Sequence, residues 1–141
     1  MRYFPLAAVL LLYASPLHAD TQLVGSKVVV KPVMSATTTS SGQPITLPQK
    51  DAQVLVSTYE IPPGAVLPVH KHPFPRYAYV QAGVIKVTNV DTGKTDTFKT
   101  GDFILEAVGQ WHYGANAGKT PVRLLVIDMV EQGQSNTVLQ K

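Results

Sequence analysis

Two stretches decide how this chain reads. The first is Gly64-AVLPV-His70-Lys71-His72-PFP-Arg76-YAYVQA-Gly83, and the second is Gly101-DFILE-Ala107-Val108-Gly109-Gln110-Trp111-His112-YGA-Asn116. The chain holds four histidines; apart from His18 near its start, all of them fall in these two segments. Histidine is the commonest metal ligand among side chains. Along an extended strand, residues i and i+2 point to one face, so His70 and His72 project together. A third imidazole from a neighbouring strand, His112, completes a facial set that leaves coordination positions open for water, substrate or oxygen. Any one of these histidines alone reads as a packing or surface residue; the three together read as ligands of one divalent ion.

The segments around them read as strands. QVLVSTYEI (53–61) alternates apolar and polar residues, as a half-buried strand does, and Pro62-Pro63-Gly64 ends it. VIKVTNV (84–90) and TDTFKT (95–100) flank Asp91-Thr92-Gly93-Lys94 as a β-hairpin. Residues 101–106 and 111–116 are expected to pair with each other around Val108-Gly109. The most apolar run, VRLLVIDMV (122–130), is expected at the centre of a sheet, with Asp128 at an exposed strand end or bonded to backbone. LVGSKVVVKPVM (23–34) reads as a strand pair or an edge strand interrupted by Pro32, and residues 35–44 as a loop. No stretch has convincing helical periodicity, and 11 prolines and 10 glycines punctuate the chain. Short strands joined by glycine turns predict an all-β sandwich or barrel.

At 141 residues the chain has room for one hydrophobic core, and 45% apolar residues suit a folded domain. Residues 1–19 read as a signal peptide, with Arg2 ahead of an apolar run and cleavage after Ala19, which predicts a periplasmic or secreted protein. Pro5 and Pro16 interrupt this short run, which argues against a stable membrane anchor. Residues 20–53 then form an N-terminal strand and loop arm, 54–131 the barrel domain, and 132–141 a polar C-terminal tail, loose at its end. The formal charge of +3 falls to +2 without Arg2, and the remaining basic residues do not cluster, so no nucleic-acid partner is expected. With no cysteine, disulfides and thiolate chemistry are excluded. Once the three histidines are committed to metal, no serine–histidine triad can be built.

Gly64-x5-His70-x-His72-x3-Arg76-x6-Gly83 resembles the first motif of the cupin superfamily, and Gly101-x5-Ala107-x-Gly109-x2-His112-x3-Asn116 resembles the second. The chain is most similar to small single-domain exported cupins, with a barrel like the conserved cupin 2 type. The resemblance implies a small jelly-roll β-barrel and a homodimer formed through edge strands, for which 23–34 is the candidate contact. It carries His70, His72 and His112 over as metal ligands. Arg76 falls where the family has a ligating glutamate, and a guanidinium cannot ligate a metal. Ala107 stands where a proline is usual.

Three neutral imidazoles would leave M²⁺ at full charge, which favours an anionic small molecule. An inward Arg76 would strengthen that preference and orient the substrate; an outward one would be a rim residue. Glu106 is expected either to pair with Arg76 or to reach the metal as a substitute carboxylate. Phe74 is a possible pocket residue, whereas Trp111 should pack in the core or at an edge. Two functions fit: a three-histidine metal-dependent oxygenase or related oxidoreductase acting on a small anionic substrate, or a non-catalytic module that binds a metal or small ligand. The ion itself stays open among Fe, Mn, Ni, Cu and Zn, since imidazole accepts them all.

Overall fold

The structure is a computed structural model that describes residues 28–141. The expected signal peptide and its cleavage point lie outside the described residues. The chain divides into two units, 1–31 and 32–141, and the second carries every strand discussed below. These are β1 (Ala52–Ile61), β2 (His70–Lys71), β3 (Arg76–Ala82), β4 (Val84–Asn89), β5 (Thr95–Lys99), β6 (Phe103–Leu105), β7 (His112–Ala115), β8 (Val122–Glu131) and β9 (Val138–Leu139). The described residues contain no helix.

Two antiparallel sheets result, one ordered β1-β8-β3-β6 and the other β5-β4-β7-β2-β9. This is the all-β jelly-roll arrangement, with sheets that hydrogen bonds do not close into a continuous barrel. The apolar run at 122–130 lies centrally, between β1 and β3. Its period-2 pattern turns Val122, Leu124, Val126 and Val130 inward, each at most 4% exposed. With Ile61, Ala78, Val80 and Ile104 of the same sheet and Ile85 of β4, they form the core between the sheets. The hairpin forms as expected, β4 on β5 from Val84↔Lys99 to Thr88↔Thr95. Gly83, at φ 84°, makes the corner before it; a Cβ there would stand 2.8 Å from the Pro121 carbonyl oxygen, so only glycine fits.

Four expectations need correction. Residues 28–34 form no strand, and 23–27 lie outside the described residues. Segments 101–106 and 111–116 do not pair: β6 joins β3 in one sheet and β7 joins β4 and β2 in the other, so the second motif crosses between sheets. β1 is not half-buried; as the outermost strand it leaves Val54 and Val56 58% and 62% exposed. Nor is segment 132–141 loose, because β9 pairs with β2 and Asn136 is buried.

Candidate metal centre

β2 places His70 directly opposite His112 on β7, and His72 continues the same extended segment into a bridge with Val108. The three rings converge, with centroids 4.6 to 4.9 Å apart. Glu106 joins them: its Oε2 lies 2.8 Å from His112 Nε2 and 3.0 Å from His72 Nε2. The strand alternation explains its direction. Leu105 and Phe103 pair with Tyr77 and Tyr79 and face outward, whereas Ile104 and Glu106 share the inner side.

The ring nitrogens have divided roles. Nδ1 of His70 bonds the Pro68 carbonyl at 2.7 Å, Nδ1 of His112 the Gln110 carbonyl at 2.9 Å, and Nδ1 of His72 the Asn136 carbonyl at 2.5 Å. A carbonyl only accepts, so each Nδ1 carries its proton and donates. Each Nε2 then faces inward and can offer a lone pair, as a metal ligand needs, once the proton that His112 Nε2 shares with Glu106 is displaced. His72 Nε2 is buried without a hydrogen-bond partner, because its contact with Glu106 is close but poorly aligned.

One ligand atom from each of His70, His72, Glu106 and His112 can be chosen so that all lie within 4.8 Å of one another. Opposed ligands at about 2.1 Å from an ion stand about 4.2 Å apart, so a small contraction suffices. The four residues could hold a metal ion.

Electrostatics agree with such a donor set. Burial raises the Glu106 carboxyl, but the hydrogen bond from His112 and the close approach of His72 outweigh it and hold the group well below its ordinary value. Burial lowers His112, and the bond to Glu106 more than reverses this. His70 is lowered by burial, against the opposing Pro68 bond.

Arg76 is not a rim residue. It is 6% exposed, and its Nε and Nη2 donate to the two carboxylate oxygens of Asp128, at 2.7 and 2.9 Å. Asp128 is correspondingly buried rather than at an exposed strand end, and Glu106 bonds the histidines rather than Arg76. Arg76 still borders a small inner cavity together with His70, Glu106 and His112. Trp111 is half-buried at the edge, with Lys71 Nζ 4.6 Å from its ring centre.

A larger cavity of about 190 Å³ opens beside the cluster. Val87, Phe98, Ile104 and Ala107 give it apolar walls, Glu106 and His112 form its inner end, and Ser40 and Ser41 lie at its border. The loop carrying those serines is fixed by Ser40 N donating to Leu105 O and by Gln43, whose amide bonds Val108 through both its oxygen and its nitrogen. Phe74 lines neither cavity.

The profile of the cupin domain matches residues 57–128. The chain belongs to the cupin family. Among curated proteins none matches this cupin. Among solved structures it is similar to the polyketide cyclase RemF from Streptomyces resistomycificus, with a TM-score of 0.54 and 22% identity over 66% of this chain and 65% of that one. It is also similar to the DMSP lyase DddQ from Ruegeria pomeroyi, with a TM-score of 0.55 and 20% identity over 70% and 47% of the two chains. A predicted oxalate decarboxylase from Thermotoga maritima gives a TM-score of 0.50 and 26% identity, over 57% and 68%. The match spans about two thirds of the cyclase and about half of the lyase. At these identities the cyclase and the lyase support the shared fold alone.

Proposed function

We propose that this cupin is an exported metal-dependent enzyme, an oxygenase or related oxidoreductase, whose single divalent ion is held by His70, His72, His112 and Glu106. One observation carries the metal reading: three Nδ1–H groups are tied to backbone carbonyls, so three Nε2 atoms face inward beside one carboxylate. A bound ion would supply Lewis acidity and, if redox-active, electron transfer to a ligand beside it. The chain's own residues then define that ligand. Glu106 lowers the net charge of an M²⁺ centre to +1, and Asp128 neutralises Arg76, so the charge balance favours a monoanion over a dianion. A cavity of about 150 Å³ admits benzene; the cavity here, lined by apolar Val87, Phe98, Ile104 and Ala107 and by polar Asn89, Thr92, Lys94 and Asp96, suits a body of about that size. Its inner end would present the ligand's oxygen donor to the ion. Arg76 orients the ligand only indirectly, through the inner cavity it borders.

The alternative is a non-catalytic module binding the same ion or ligand; besides His70, Glu106, His112 and Arg76, Tyr59 is the titratable side chain along the inner cavity among the described residues. We further propose a homodimer in which the outer face of the first sheet meets a second copy. Val56, Ile127, Tyr77 and Leu105 stand in one cross-strand row there, continuous with the free edge of β1.

Elemental analysis of mature protein, residues 20–141, beside a His70→Ala/His112→Ala double variant tests the metal reading. About one equivalent lost in the variant supports it, whereas no uptake after reconstitution with Fe, Mn, Ni, Cu or Zn overturns it. Oxygen uptake with small phenols and diketones then separates enzyme from module.

A further inference from the structure

We infer that segment 132–141 is a strap that sets metal affinity, with Asn136 the positioning residue for His72. The inference rests on the metal reading above. His70 and His112 each find their Nδ1 acceptor two residues upstream, within their own strand or its approach. His72 does not. Its acceptor is the carbonyl of Asn136, 64 residues further along the chain. The orientation of this one ring, and the proton that leaves its Nε2 free, depend on a segment outside both histidine motifs.

That carbonyl is held from several sides. Asn136 is 4% exposed. Its Nδ2 donates to Asp128 Oδ1 at 2.6 Å and to the Pro75 carbonyl at 3.3 Å, and its Oδ1 accepts from the Phe74 amide at 2.8 Å. Thr137 Oγ1 accepts from Arg76 Nη2 at 3.3 Å. Val138 pairs with Lys71 and Leu139 with His70, and Gln140 N donates to Val69 O. The strap therefore covers the outer edge of β2 while Asn136 grips the base of the His72 ring. The Arg76–Asp128 pair anchors this strap.

An acceptor behind a ligating imidazole orients the ring and raises its basicity, and losing such a partner costs about 10–100-fold in metal affinity. Coupling between two binding events is reciprocal. An ion that gains from a fixed His72 must in turn hold the strap down.

The test uses Zn²⁺ and Co²⁺, titrated against a chromophoric chelator into mature wild-type protein, Asn136→Ala and the exposed control Gln134→Ala. Asn136→Ala keeps the carbonyl but removes the side-chain bonds to Asp128, Pro75 and Phe74 that fix its position, so it should bind more weakly, by up to about 10–100-fold, and Gln134→Ala like wild type. In parallel, amide hydrogen exchange of residues 132–141 in wild type should slow on adding Zn²⁺. A merely structural Asn136 would lower the melting temperature of metal-free and loaded protein alike and leave affinity unchanged. That result, or exchange indifferent to Zn²⁺, overturns the strap. Should Asn136→Ala fail to fold, the wild-type exchange decides alone. Wild type that takes up neither ion overturns the strap, whereas the metal reading falls only if reconstitution with Fe, Mn, Ni and Cu fails as well.

Discussion

Arg76 and Asp128 face each other across β3 and β8, and the guanidinium closes on both carboxylate oxygens in a site where each residue is 6% exposed. Burial alone would lower the Arg76 pKa, but the bond to Asp128 more than compensates and keeps it raised. Arg76 alone of the pair falls in the first motif, where the resemblance drawn from the sequence places a ligating glutamate. The cluster's carboxylate comes instead from Glu106, within the second motif.

Removing one partner strands the other charge in the core. Asp128→Ala should therefore cost about 3–5 kcal/mol of stability. Arg76→Met/Asp128→Leu should recover part of it, because two apolar side chains leave no unpaired charge, while the Asn136 amide still loses its Asp128 partner. Urea denaturation of the three proteins measures both effects.

Glu106→Gln keeps the side chain's size and removes its charge. Metal affinity should fall by at least about tenfold, from the loss of an anionic donor. The same change should shift ligand preference from monoanions toward dianions, since three imidazoles leave the ion at +2. Chelator competition gives the first number, and displacement titrations with a monocarboxylate and a dicarboxylate give the second.

Without metal, a proton stands where the ion would sit, on His112 Nε2 against Glu106. The His112 pKa is raised above 6.5, so its contribution is fully present below pH 6.5 and is lost as pH rises through the raised value. Glu106 is depressed from 4.5, so its contribution holds above pH 4.5 and is lost as pH falls through the lowered value. His70 is lowered and opposes His112, giving up stability as pH falls below 6.5 through its lowered pKa. Chemical denaturation across this range should show the His112 loss on the alkaline side in metal-free wild type, and not in Glu106→Gln. Metal affinity should rise over the same interval, because the ion displaces that proton.

If the outer face of the first sheet joins two copies, Val56→Lys should break the seam. Light scattering should then show wild type at twice the chain mass and the variant at one. A wild-type monomer at all concentrations would remove the dimer proposal.

Much of the fold was legible because its signals are local. The alternation in 122–130, the turn residues 91–94 and the spacing of His70 and His72 depend on neighbours a few residues away. What stayed hidden depended on register. Arg76 is the one charge of β3 and Asp128 the one inward-facing charge of β8, and only the β3–β8 alignment reveals that they meet. Glu106 could be partly read, since it shares parity with the inward Ile104, but whether it would turn to Arg76 or to the histidines required the crossing between sheets. Asn136 gave no signal at all. It lies in a polar segment of ordinary composition, and its use comes from a main-chain carbonyl that any residue possesses.

The position of β2 between β7 and β9 also bears on when the centre can exist. Its pairing partners lie at His112 and at Val138–Leu139, and the first sheet needs contacts as distant as Ala52↔Glu131. Such non-local strand pairing forms slowly, on the order of milliseconds to seconds. During synthesis, His70 and His72 emerge long before the segment that orients one of them. A chain made only as far as His112 offers three imidazoles on flexible backbone, a weak and unselective chelator. If the cluster holds an ion, its donors are all fixed only once residues 136–139 have been added and folded onto β2.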